Sequence, residues 1–513
     1  MGYLAVALLF ISFLVWMSRV LYSIWWKPMK LERLLKEQGI VGLPYKLFYG
    51  NLDENDALNK EARSKPMNLS HKIAARVAPI LHHTVEKYGK LSVIWYGNHP
   101  RVTVFDPEMV KEILSNKFGH FEKIKLNPLL KLLATGLAQH EGEKWARHRR
   151  IINPAFHLEK IKLMLPAFSA SCVALIDKWE KLMDPHGYSC EVDVWPDLQH
   201  LTGDVISRTA FGSSYKEGNR IFKLQSEQAL LMIQAASSVY FPGLELLPTK
   251  KNLRRREIDR EVRALLTGMI KKKEKAIKLG EAAPDDLLGL LIKSNLKECQ
   301  EGGNSKGMTI EDVIAECKLF YFAGQETTSV LLNWTMIALS MNSDWQTRAR
   351  EEVLQIFGKN KPDFDGLSHL KIVNMILHEI LRLYPPVVAL IRSTYKEMTI
   401  GGVTFPAEVE ICLPTVLVHH DKEIWGEDAE EFNPERFARG VSNATKYQTA
   451  FFPFGWGPRI CIGQTFALTE AKLAMAMILQ NFWFELSPTY VHAPFPIVTI
   501  QPQYGSQIIL HKL

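Results

Sequence analysis

Hydrophobic and polar positions divide the chain into stretches of different rhythm. The first is nearly unbroken: residues 1–18 contain no charged side chain, and after Arg19 the apolar run resumes through Trp26. At about 1.5 Å of rise per residue, a helix of this length crosses a hydrocarbon core ~30 Å thick. Residues 39–45 (GIVGLPY) then carry the glycines and proline of a stiff, non-helical linker. From about residue 75 onward apolar positions recur at helical spacing, with Leu114, Leu163, Leu175 and Leu182 inside amphipathic runs. Short β-branched runs at 91–95, 101–105, 398–400 and 402–405 predict strands of a small sheet. No composition break or internal repeat splits this body. The pattern predicts a membrane anchor over 1–28, a linker and membrane-proximal segment over 29–74, and one mainly α domain with a small β region over 75–513.

The flanks of the apolar run orient it. Lys27, Lys30, Arg33 and Lys36 follow it against Glu32 and Glu37, which leaves the body of the protein in the cytosol, while Trp25 and Trp26 resemble an interfacial aromatic belt. A cleaved signal peptide would need a positive n-region and an A-x-A-like site, and neither is present. Val6 stands where a myristoylation signal needs Ser or Thr. On this reading the sequons at Asn68, Asn333 and Asn443 go unglycosylated.

Composition narrows the field less. A chain of 513 residues with 47% hydrophobic and 23% charged content is an ordinary globular protein. Its net charge of +7 suits an anionic membrane surface or an acidic protein partner as well as a merely solvated surface. No dense Lys/Arg block alternates with aromatics, so no nucleic-acid partner is expected. The basic run 271–275 reads as a solvated helix face, and 302–307 as a surface loop. Six cysteines without a CxxC pair argue against a disulfide framework or a cysteine zinc site, and for a reducing compartment.

One of those cysteines sits in an unusual setting, FGWGPRICIG over residues 454–463. A thiolate ligand needs hydrogen-bond donors around its sulfur, and glycines permit close backbone approach. Arg459, two residues before Cys461, is placed to meet an anionic cofactor group, and residues 464–480 are a helix pattern opening near the sulfur. A buried turn cysteine would explain neither Phe454 nor the glycines and arginine together.

A second anomaly lies inside a long helix that opens with a Thr309–Asp312 capping box and runs to about Asn342. Its midpoint reads AGQETT over 323–328, where Gly costs about 1 kcal/mol relative to Ala. Thr327 can bond back to an i−4 carbonyl and open room for a ligand, and Glu326 beside it can relay protons. Glu379 and Arg382 form an i, i+3 pair followed by LYPP (383–386); with Arg436 in FNPERF (432–437) they read as a structural network. Trp145 and Arg149 lie one helical turn apart, both able to donate to a carboxylate, while Arg147 and Arg150 suit a redox partner or solvent.

Taken together, the four motifs resemble the cytochrome P450 superfamily in order and spacing, from about residue 75 to the end. Phe454, Gly457, Arg459, Cys461 and Gly463 fit its FxxGxRxCxG pattern. The resemblance implies the P450 fold behind a single N-terminal transmembrane helix, haem b ligated by Cys461, and propionates held by Trp145, Arg149, Arg392 and Arg459. It also implies NADPH-cytochrome P450 reductase as electron donor and an endoplasmic reticulum location. Residues 118–123, 153–159, 320–328 and 425–429 are further similar to the plant seventy-two clan, subfamily A, a group concerned largely with triterpenes, iridoids and gibberellins. The expected activity is hydroxylation or further oxidation of C–H bonds in a small apolar metabolite of terpenoid type, with Glu326 and Thr327 supplying protons. Residues 127–130, Phe322, 387–391 and 497–499 are expected to shape the pocket. Two rivals remain: a P450-fold isomerase or dehydratase that uses no dioxygen, against which the intact Glu-Thr pair argues, and a non-catalytic haem-binding membrane protein.

Overall fold

The computed structural model describes the chain except residue 1 and residues 117–118, 184–186, 214, 241–242, 282–285 and 301–306. Phe118 and most of the expected 302–307 loop therefore lie outside the described residues.

The apolar N-terminus forms the helix Gly2–Leu21, continues through a π-helical turn at Tyr22–Trp26 and passes into a second helix at Lys27–Glu37. Leu4, Leu9, Phe10, Phe13 and Trp16 all point outward, so this run contributes nothing to the core, and it is long and apolar enough to cross a membrane. The expected linker is non-helical, yet it is woven into the body. Val41–Gly42 pairs in parallel with Ser92 and Val93, and Ile40 and Leu43 are buried.

The main sheet has six strands in the spatial order Val41–Gly42, Ser92–Tyr96, His99–Thr103, Glu410–Leu413, Leu390–Thr394 and Phe121–Glu122. Strands far apart in sequence meet in a register that pairs charge with charge: Arg101 lies opposite Glu410, and their side chains bond at 2.7–2.8 Å. Met398–Ile400 and Val403–Phe405 form a separate hairpin. A three-stranded sheet near the C-terminus joins Phe482–Leu486, Gln507–Lys512 and Ser189–Asp193.

Helices supply the rest of the mass, and the longest central one, Ile310–Met341, runs through the core. Its start is fixed as the sequence predicts: Thr309 Oγ1 accepts from the Asp312 amide at 3.1 Å, and Asp312 Oδ2 accepts from the Thr309 amide at 3.2 Å. Gly324 has a packing cause that the sequence did not reveal. A Cβ there would stand 2.6 Å from Ile206 Cγ1, so the helix Val194–Phe211 approaches as only glycine allows. The same two helices are joined by the Thr202 hydroxyl, which donates to the Gln325 carbonyl at 2.8 Å. The basic run 271–275 lies on the helix Lys250–Lys278, and one of its lysines is built in: Lys273 pairs with Asp286 at 2.6 Å.

Candidate active site

The cysteine loop is held at both ends. Gly457 has a left-handed φ of 67°, and a Cβ there would lie 2.5 Å from the Leu114 carbonyl oxygen, so the loop packs directly on another backbone. The Cys461 amide donates to the Phe454 carbonyl at 2.8 Å, and the helix Gln464–Asn481 begins just beyond. Burial pushes the Cys461 thiol up, opposed by the Gly463 amide and the Arg149 charge. Phe156 links this loop to the central helix, stacking on Phe320 with centroids 5.4 Å apart and meeting Phe466 edge-on at 6.1 Å.

Trp145 and Arg149 come from the helix Gly142–Ile152, and both reach the cysteine loop. Arg149 Nη1 donates to the Ile460 carbonyl at 2.9 Å. The Arg459 guanidinium lies 4.2 Å from the Trp145 ring centroid and pairs with Glu141. Arg392, on the strand Leu390–Thr394, lies close enough for its charge and that of Arg459 to act on Lys123. With burial as the larger cause, Lys123 falls to about 7, and Arg392, also mainly through burial, falls to about 10. Sequence reasoning missed Lys123 and Glu141. Glu141 stands one turn before Trp145, and Lys123 closes a run quoted only for its family likeness; neither spacing by itself signals a shared site.

This donor set fits an anionic macrocycle held by a thiolate. Four basic side chains, Lys123, Arg149, Arg392 and Arg459, lie together, Glu141 pairs with Arg459, and Arg459 Nη1 is buried without a hydrogen-bond partner. Cys461 is exposed although it lies deep in the fold, and Phe322, Ala323 and Thr327 are half-exposed on a mostly buried helix.

The Thr327 hydroxyl donates to the Ala323 carbonyl at 2.8 Å, the expected i−4 bond. Glu326 turns elsewhere: it accepts from Thr499 at 2.5 Å and from the Gln501 amide. Burial raises its pKa against the pull of Thr499, Gln501 and Gln199. It lines a cavity of about 180 Å³ together with Trp195, Gln199, Leu230, Phe322 and Ile497. Phe322 and Ile497 thus meet as expected. Residues 127–130 and 387–391 do not line this cavity, and Gln199, Ser226 and Gln501 do so unforeseen.

The Glu379–Arg382 pair is fully buried and bidentate, at 2.8 and 2.7 Å, with Arg436 Nε at 3.6 Å from Glu379. Arg382 also donates to the His419 carbonyl at 2.7 Å, and His419 Nε2 accepts from the Phe452 amide at 3.2 Å. The pair therefore reaches the segment leading into the cysteine loop through His419, a residue without a sequence motif.

A family model of cytochrome P450 matches residues 67–506. The chain belongs to the cytochrome P450 family. It is 62% identical over 513 residues to Cytochrome P450 CYP72A616 of Paris polyphylla, covering 99% of both chains. It is 54% identical to Cytochrome P450 72A15 of Arabidopsis thaliana and to 7-deoxyloganic acid hydroxylase of Catharanthus roseus, each over 99% of this chain and 98% of the relative. This is a plant P450 monooxygenase of the 72A type, and family membership brings a haem iron.

Proposed function

We propose that this P450 oxidises C–H bonds of a terpenoid carrying a few oxygen functions, with Cys461 as the residue whose thiolate would ligate its haem iron. The observation that carries the reading is the Cys461 loop itself, an exposed thiol deep in the fold beside four basic side chains. Trp145, Arg149, Arg392 and Arg459 would hold the propionates, and Phe454 shapes the loop beside the sulfur. When bound, the haem supplies the activation of dioxygen, favoured by thiolate donation. Thr327 holds a hydroxyl proton at mid-helix, and Glu326 feeds protons from the Thr499–Gln501 side. The cavity beside Glu326 sets Phe322, Leu230 and Ile497 against Gln199 and Gln501, a lining that suits a mostly apolar skeleton with polar substituents. An iridoid, triterpenoid or gibberellin-type substrate meets that description, and the hydroxylase relative acts, by its name, on 7-deoxyloganic acid.

Electrons come from NADPH through cytochrome P450 reductase. Residues 1–28 anchor the protein in the endoplasmic reticulum, 29–74 lie against its cytosolic face, and 75–513 form the catalytic domain. Microsomes holding the full-length protein and reductase, given NADPH, labelled dioxygen and a terpenoid panel, test this reading. A product carrying one labelled oxygen is expected. Turnover without oxygen or reductase would replace it with an isomerase or dehydratase.

A further inference from the structure

A separate cluster of titratable groups ties the helix Gly142–Ile152 to the first half of the central helix. His148 and Glu316 are fully buried, and His148 Nδ1 lies 2.6 Å from Glu316 Oε1. His140 Nε2 lies 3.9 Å from the same oxygen. The two imidazoles meet edge to face with centroids 4.5 Å apart. One donor atom from each of the three residues lies within 4.8 Å of one from each of the others.

Two features separate this cluster from an ordinary buried histidine–carboxylate hydrogen bond. Nε2 of His140 and Nε2 of His148 are both buried without a hydrogen-bond partner, the first 3.9 Å from Glu316 and the second 3.9 Å from Asp312. The second feature is charge. Asp312 Oδ2 stands 3.9 Å from His148 Nε2, but Lys144 pairs with Asp312 at 2.6 Å. Among the described residues no lysine or arginine pairs with Glu316, whose other oxygen accepts the Leu137 amide at 3.0 Å.

We propose that His140, His148 and Glu316 bind a divalent transition-metal ion of the zinc kind. Two imidazoles and one carboxylate are a donor set that zinc takes, with water in the fourth position. Donors about 2.1 Å from one ion stand about 3.4 Å apart in a tetrahedron, so the site closes by roughly an ångström. His140 is the partner able to move: its side chain is 17% exposed and it sits before the helix, which also gives the ion its entry. The bound ion pins the helix that carries Trp145 and Arg149 to the helix that carries Glu326 and Thr327. This site is independent of the haem assignment.

The test uses the full-length holoenzyme in detergent, stripped with a chelator and titrated with zinc against a chromophoric competitor, with melting followed in parallel. One saturable equivalent and a higher melting temperature are expected. His140→Ala, which spares the buried His148–Glu316 pair, should weaken binding at least about tenfold and abolish the shift in melting. Glu316→Gln should do the same if it folds. No saturable equivalent in the wild type, or zinc bound as tightly by His140→Ala, would overturn the proposal.

Discussion

The Arg459 guanidinium carbon stands 4.2 Å from the centre of the Trp145 indole, so the cysteine loop and the helix Gly142–Ile152 meet through a cation–π contact. Such a contact is worth about 0.5–2 kcal/mol, the upper value when desolvated. Trp145→Ala should therefore lose haem several-fold faster to a scavenger such as apomyoglobin, while Trp145→Phe keeps the platform and loses it more slowly. Equal transfer rates for all three proteins would show that the ring does not hold Arg459 in place.

The buried Glu379–Arg382 pair makes a stronger demand. Removing one partner leaves an uncompensated buried charge, at a cost of about 3–5 kcal/mol. Glu379→Ala should fail to accumulate as folded protein. His419→Ala should fold with a lower melting temperature, since the loss of a ring nitrogen leaves the Phe452 amide unpaired at about 1–3 kcal/mol. A His419→Ala melt matching the wild type would remove His419 from the support of the segment leading into the loop.

These two networks mark the division between what the sequence discloses and what it hides. The helix caps, the strands over 92–96 and 99–103 and the cysteine loop follow local rules of spacing and periodicity, so they are legible from residues alone. Glu141, Lys123 and His419 act through partners distant in the chain, and no periodicity announces them. Gly324 shows the same limit. Its position in mid-helix is visible as an anomaly, but the reason for it, Ile206 at 2.6 Å, belongs to another helix. The sheet strand at Val41–Gly42 was hidden by its brevity inside a Gly/Pro stretch.

Thr327 and Glu326 are expected to govern how electrons are used rather than whether they arrive. Thr327→Ala should consume NADPH at a similar rate while product per NADPH falls at least about tenfold and hydrogen peroxide rises. Glu326→Gln should slow product formation and oxygen consumption together. Full coupling in Thr327→Ala, measured as product against NADPH, would take the hydroxyl out of proton delivery.

Glu326 also leaves a mark on stability. Because burial raises its pKa in the folded state, the neutral carboxyl is the form the fold favours. The stability it contributes is complete below its ordinary value of 4.5 and is lost as pH rises through the raised value. Glu326→Gln stays neutral, so its melting temperature should gain on the wild type as pH climbs above 4.5. Parallel melting curves across that range would contradict a raised pKa at this site.

Everything proposed for the chemistry rests on Cys461 as the thiolate ligand, and the reduced carbon-monoxide difference spectrum reads that bond directly. The full-length wild type should give the thiolate-haem band, and Cys461→Ser, still able to hold haem through the cationic cluster, should lose it for the band of a non-thiolate haem. A wild type without the thiolate band, or a Cys461→Ser protein that keeps it, would contradict the assignment.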